Sequence, residues 1–311
     1  MPESTHPLYY DFASFLAKHF EGKVQKISIH AGFTCPNRDG TKGTGGCSYC
    51  NNQTFNPEYC DPKFGIRKQL EDGIRFFSRK YPTMHYLAYF QAYTNTYGEI
   101  EQLKAMYEEA LSVEGIVGLV IGTRPDCISP TLLDYIEQLS HKTFVMVEYG
   151  IESANDLTLQ RINRGHDFTT AIEAILKTNE RGILVGGHLI LGLPGEDHDE
   201  LMRQADAIAS LPLDMIKLHQ LQLIKGTRMA REYEQYPEQF HLYTVNEYID
   251  LAIDYIEHLP STMVVERFIS QSPRSLLIAP DWGIKNYQFV EHLKHRMQER
   301  DTWQGRLYKK V

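Results

Sequence analysis

The chain has 311 residues, 42% hydrophobic and 23% charged, a globular composition that excludes disorder and allows one large α/β domain or two ordinary ones. A formal charge of −8 argues against a protein that coats nucleic acid through a broad basic surface. No run approaches the roughly 20 apolar residues of a membrane span, and Met-Pro-Glu-Ser-Thr-His at the start lacks the basic and apolar regions of a secretory signal, so a cytoplasmic protein is expected.

Strand-like and helix-like segments alternate along the chain. Strands are expected at Val24–His30, His85–Phe90, Ile116–Ile121, Phe144–Tyr149, Ile183–Leu191 and Met215–Leu221, several of them nearly continuous apolar runs, as strands buried on both faces require. Helices are expected at Gly65–Lys80, Glu99–Leu111, Pro130–Leu139, Asp167–Arg181 and Glu196–Ser210. Ser129 is placed to cap one of these, with Pro130 at its first position, and Gly182 to end another. Six successive βα units imply a parallel sheet with right-handed crossovers. No G-x-G-x-x-G follows the first strand, so the dinucleotide-binding version lacks its phosphate loop. After about residue 225 the pattern loosens to a helix near Val245–His258, a short strand Met263–Phe268 and an irregular tail with Pro273, Pro280 and Trp282.

Three of the five cysteines crowd into Cys35-Pro-Asn-Arg-Asp-Gly-Thr-Lys-Gly-Thr-Gly-Gly-Cys47-Ser-Tyr-Cys50, directly after the first strand. Soft thiolates select zinc, copper(I) or iron–sulfur clusters. Structural zinc and electron-carrying clusters both want four ligands. Three cysteines leave one metal position open, as catalysis needs; alternatively Cys60 or His30 could close a tetrahedral zinc site.

This loop resembles the cluster loop of the radical S-adenosylmethionine (SAM) superfamily, in the long-gap form of relatives of the elongator catalytic subunit. Further strand ends are similar. Gln91 and Ala92 stand at the turn that holds the SAM amino group, and Gly122-Thr123-Arg124-Pro125-Asp126 is like the elongator-type turn. Val147-Glu148-Tyr149-Gly150-Ile151-Glu152-Ser153, with Arg161-Ile162-Asn163-Arg164-Gly165-His166, resembles Glu-x-Gly-x-Gln-Ser followed by Arg-x-Asn-Arg-Gly-His, with Glu152 in place of the usual Gln. Gly192 lies in a segment like the one along the adenine, and Lys225-Gly226-Thr227 is also elongator-like. Whole-chain similarity is to bacterial stand-alone, elongator-like radical SAM proteins with a Cys-Pro-Asn-Arg-Asp-Gly loop.

The resemblance implies a partial (β/α)6 TIM-like barrel over residues 24–228, with extensions at 1–23 and 229–311, the latter covering the barrel. It implies a [4Fe–4S] cluster on Cys35, Cys47 and Cys50, and reductive cleavage of SAM to a 5′-deoxyadenosyl radical that abstracts hydrogen. Tyr49 is expected against the adenine, Arg164 on the SAM carboxylate, and Gln91, Ala92, Ser153 and Gly192 among the SAM contacts. Glu148, a charge in an apolar strand, must bind SAM hydroxyls or a neighbouring base. RNA modification at a tRNA wobble uridine is the implied function, with flavodoxin or ferredoxin as electron donor. Conversion of a small-molecule or cofactor precursor, or a zinc-stabilised RNA-binding module, are the alternatives. The chain has no evident room for an acetyltransferase domain. His219, Cys60 and Cys127 receive no role, and the cover is expected around Val264–Asn286 with Arg267, Arg274 and Trp282.

Overall fold

A strand that is apolar on both faces must have its backbone paired and both faces covered, and this chain meets that demand with one sheet wrapped in helices. The computed structural model describes residues 7–55, 57–79 and 83–310. The opening Met1–His6 and the end of the expected Gly65–Lys80 helix lie outside them. Helix α1 (Phe12–His19) precedes β1 (Lys23–Ile29), α2 (Ile66–Ser78), β2 (Met84–Phe90), α3 (Ile100–Leu111) and β3 (Ile116–Thr123). Next come α4 (Pro130–Ser140), β4 (Phe144–Glu152), α5 (Asp156–Arg161), α6 (Phe168–Asn179), β5 (Leu184–Leu191), α7 (His198–Ala209) and β6 (Met215–Gln220). The remainder is β7 (Leu223–Ile224), α8 (Arg228–Gln235), α9 (Val245–Glu257), β8 (Val264–Arg267), β9 (Leu277–Ala279) and α10 (Asn286–Glu299).

The sheet runs β1-β2-β3-β4-β5-β6-β8, all parallel and curled into a half-barrel. A partial TIM-like barrel is therefore correct, with seven strands instead of six: the short strand expected after residue 260 joins the sheet, Met215 pairing Val264. The expected helix signals hold. Ser129 Oγ accepts from Leu132 N with Pro130 at the first turn, and Gly182 sits at φ +68° just past α6.

Alternate residues of the strands serve different cores. Ile27, Phe90, Ile121, Val147, Val185 and Leu218 face the helices, while Leu87, Val120, Met146, Met215 and Val264 gather inside the barrel. Phe15 and Leu16 of α1 close that interior from below. Above this apolar floor the inward positions turn charged, with Lys26, Glu148, Lys217 and Glu266 in one ion-pair network. The site therefore sits at the C-terminal strand ends, over a charged middle layer.

The irregular tail expected beyond residue 270 needs correction. It carries a 14-residue helix, α10, packed on α9 through Phe289, Leu293 and Met297. Those three at i, i+4 and i+8 are its only fully buried side chains, and its polar residues hide the stripe. Trp282 packs there too, its ring 5.2 Å from Tyr248 and 6.0 Å from Phe289.

Candidate active site

A cavity opens at the strand ends. Cys35, Cys47, Cys50, Tyr49, Gln91, Glu148 and Arg164 all line it, with Arg124, His188, His219 and Arg267. The cysteine loop reaches this position through its own sequence. Gly40, Gly45 and Gly46 take φ of +92°, +80° and +74°, and a side chain at Gly46 would meet Arg38 Nε at 2.8 Å. Asn37 Nδ2 donates to Asn163 O at 2.7 Å, and Asn163 Nδ2 returns a bond to Gly46 O at 2.8 Å, which clamps the loop onto the turn after α5. Arg38 Nη2 donates to Cys50 O at 2.8 Å.

Polar hydrogens converge on the thiols. Asn37 Nδ2 lies 3.7 Å and Arg164 Nη1 3.5 Å from Cys47 Sγ, and Asn52 Nδ2 lies 3.6 Å from Cys50 Sγ. Burial and the nearby Cys47 push the Cys50 thiol up to about 11, so the Cys50 sulfur becomes a thiolate only against a positive counter-charge such as a metal. Among the described residues, no three His, Cys, Asp or Glu side chains converge tightly enough for a single metal ion. Three thiols around one cavity, with N–H groups aimed at two of the sulfurs, suit a larger cluster, whose potential such bonds tune. The residues present therefore fit a [4Fe–4S] group.

Cys60 and Cys127 do not belong to this set. Neither lines the cavity, and burial pushes both thiols up to about 12. Arg124 and Asp126 pair at 2.9 and 3.0 Å, with Lys42 also on Asp126 at 2.9 Å.

Arg164 is fixed by Gly150 O at 2.6 Å and faces Glu152 at 3.6 Å. Its Nε is buried without a partner, a donor left over for a ligand. A bulge in β4 between Gly150 and Glu152 makes this possible, since it places Glu152 at φ +71° beside the guanidinium. Tyr49 packs with Leu159, Ile162 and Ile190 at the cavity wall. Gln91 Oε1 accepts from Ser28 Oγ at 2.8 Å.

Three expected SAM contacts lie behind the lining. Ala92 is buried, and Gly192 has φ +88° with Tyr243 against it. Ser153 Oγ donates to Glu196 at 2.6 Å. Glu196 Oε1 also accepts from Gln204 at 2.7 Å, while Oε2 is buried without a partner, and burial pushes this carboxyl up to about 7. Its folded value lies above the unfolded one, so its contribution is full below about pH 4.3 and lost as pH rises to about 7. Glu196→Gln is expected to stabilise the protein at pH 8, by on the order of 3 kcal/mol relative to its effect at pH 4. Urea melts at the two pH values check it.

Both oxygens of Glu148 are engaged, by Lys26 Nζ at 2.7 Å, Lys217 Nζ at 2.6 Å and His188 Nε2 at 2.9 Å. The basic partner that the sequence leaves open is thus three partners. Sequence reasoning missed Asn37, Arg38, Lys26 and Lys217. The first two stand between cysteines and could have been singled out there. Lys217 sits between Ile216 and Leu218 much as Glu148 does between apolar neighbours, the signal that drew attention to Glu148 alone, whereas Lys26 lies in a mixed strand, Lys23–Ile29, and gives no such signal.

Residues 35–208 match the Radical SAM superfamily profile and residues 213–299 the Radical_SAM C-terminal domain. The chain is 34% identical over 308 residues to the uncharacterized protein YtqA of Bacillus subtilis, covering 99% of this chain and 95% of that protein. It is 26% identical over 188 residues to a tRNA uridine(34) acetyltransferase of Methanocaldococcus infernus, covering 59% of this chain but 34% of that protein. The solved Elp3 of M. infernus, lacking its N-terminal 1–46, superposes with a TM-score of 0.69 at 18% identity over 91% of this chain and 64% of that one, which supports the fold. No helix among the described residues is long and apolar enough to cross a membrane. The cysteine loop, the curled sheet and the profile match agree: the chain belongs to the radical SAM superfamily and is an enzyme whose cofactors are a [4Fe–4S] cluster and SAM.

Proposed function

We propose that this enzyme modifies a uridine of tRNA at the wobble position. The likeness to a protein named tRNA uridine(34) acetyltransferase, which runs through 59% of this chain, carries the reading. The likeness spans 34% of that protein, and the acetyl transfer in its name is not carried over to this chain. When bound, the cluster and SAM supply a 5′-deoxyadenosyl radical for hydrogen abstraction. Cys35, Cys47 and Cys50 hold the cluster, and Asn37, Asn52 and Arg164 direct N–H groups at the sulfurs. Arg164 offers its unpartnered Nε to the SAM carboxylate, Tyr49 its ring to the adenine, and Gln91 its amide near the SAM amino group. Ala92, Ser153 and Gly192 shape that pocket from behind. Residues 24–228 together with β8 form the cofactor barrel, α1 closes it from below, and the rest of the described stretch beyond residue 228 covers it, with Ser270 and Ser272 on the cavity wall. A flavodoxin or ferredoxin supplies the electron.

Mass spectrometry of tRNA nucleosides from a deletion strain tests the substrate. One wobble-uridine derivative is expected to disappear and a precursor to accumulate. Unchanged nucleosides would end the tRNA reading and favour a small-molecule substrate. The cofactor assignment has its own test. Arg164→Ala is expected to weaken SAM binding by about one to two powers of ten, the value of a charged hydrogen bond of roughly 1.5–3 kcal/mol. Iron content should be unchanged. Full SAM affinity in the variant would remove Arg164 from the SAM site.

A further inference from the structure

The upper layer of the barrel carries a charge that the protein does not neutralise. The strand-borne charges of the interior are Lys26, Lys217 and Arg267 against Glu148, Glu266 and Glu152, and Glu152 is answered by Arg164 at 3.6 Å. Lys26 pairs both carboxylates, at 2.7 and 2.5 Å, and Lys217 pairs both, at 2.6 and 3.3 Å. Arg267, the last residue of β8, is left over. No ion pair is found for it among the described residues, its Nε is buried without a partner, and Nη2 meets only His219 Nε2 at 3.4 Å.

Among the described residues no carboxylate pairs with Arg267, and the two that line its cavity, Glu148 and Glu152, are engaged by Lys26, Lys217 and Arg164. His219 stacks on His188, with ring centroids 5.6 Å apart. Burial, with Arg267 close by, holds the His219 imidazole well below its ordinary range, and burial with Lys217 close by lowers His188. Both rings are therefore neutral at pH 7, and the His219 nitrogen facing Arg267 acts as an acceptor. Gln220, Gln222, Ser270 and Ser272 complete this side of the cavity, and none is charged. A guanidinium with an open donor edge in an enclosed wall is poorly solvated, a cost that a ligand can offset.

We propose that Arg267 is the anchor for a small oxyanion on the substrate, a carboxylate or a phosphate monoester. The planar guanidinium edge suits bidentate recognition of either group. Arg267 lines the same cavity as the three cysteines, so a substrate held there reaches the cofactor end of the barrel. This rests on the preceding section only in taking the barrel interior as the substrate's place. It goes further in requiring that the substrate be acidic there.

The test uses cluster-reconstituted protein, thermally melted at constant ionic strength in chloride, in acetate and in inorganic phosphate. Acetate or phosphate should raise the melting temperature over chloride, by about 3 °C at ten times Kd, and the anion that does so identifies the group. R267Q should lose that shift while its melting temperature in chloride stays equal to wild type or higher, because a structural arginine would take stability with it. R267K, which keeps the charge without the planar edge, should retain part of the shift. No specific shift in wild type, or an equal shift in R267Q and R267K, overturns the proposal. A precursor nucleoside from the deletion strain with no acidic group also overturns it. If no nucleoside changes at all, the tRNA reading fails, and the anion titration still decides the role of Arg267.

Discussion

Replacing Cys35, Cys47 or Cys50 singly with alanine is expected to abolish the intact cluster and with it reductive SAM cleavage, while Cys60→Ala and Cys127→Ala keep both. The first three thiols line one cavity with Asn37, Asn52 and Arg164 directed at their sulfurs, and the other two lie outside it with their protons held. A [4Fe–4S] cluster on two thiolates lacks the ligation that stabilises it, so the loss should be near total rather than graded. Iron and sulfide analysis, the visible absorption band and 5′-deoxyadenosine release are measured on the same anaerobic samples. Full SAM cleavage by any of the first three variants would displace that cysteine from the ligand set. Loss of the cluster in Cys60→Ala or Cys127→Ala would add that residue to it.

The parallel strands were legible because a strand covered on both faces leaves no polar alternation to confuse, as in the run Val117–Ile121. The cysteine loop was legible because three thiols among glycines have few uses. The interior polar layer was not. Lys26 and Glu148 are 122 residues apart and Lys217 and Glu148 69, so no local spacing announces their pairing. Glu148 stood out as one charge in an apolar strand, but one charge does not say what neutralises it. Arg267 illustrates the same limit from the other side. It follows Val264, Val265 and Glu266 and reads as the polar end of a short strand, and only the folded sheet places it beside His219, with no ion pair among the described residues. Helix α10 escaped for a different reason, since a three-residue stripe among charged neighbours gives a weak periodic signal.

Glu148→Gln is expected to destabilise the protein by about 3–5 kcal/mol, the usual loss when one partner of a buried ion pair is removed. Glu148 is fully enclosed and holds Lys26, Lys217 and His188 together at the barrel centre. With glutamine there, two buried ammonium groups share the single carboxylate of Glu266. A second substitution, Lys217→Met, restores one cation to one anion, so the double variant should be more stable than the sum of the two single losses predicts. Acidity provides an independent check. Burial alone would raise the Glu148 carboxyl, but Lys217 and Lys26 outweigh it and hold the group well below the ordinary carboxylate range. The contribution is therefore complete above the unfolded value near pH 4.3 and is lost as pH falls from there toward the folded one. Wild type should lose stability faster than Glu148→Gln through that interval in urea melts. Equal stability of the two at pH 7 would show that the network does not hold the barrel together. SAM affinity of the folded Glu148→Gln protein, read beside its iron content, then decides whether the carboxylate also serves the cofactor.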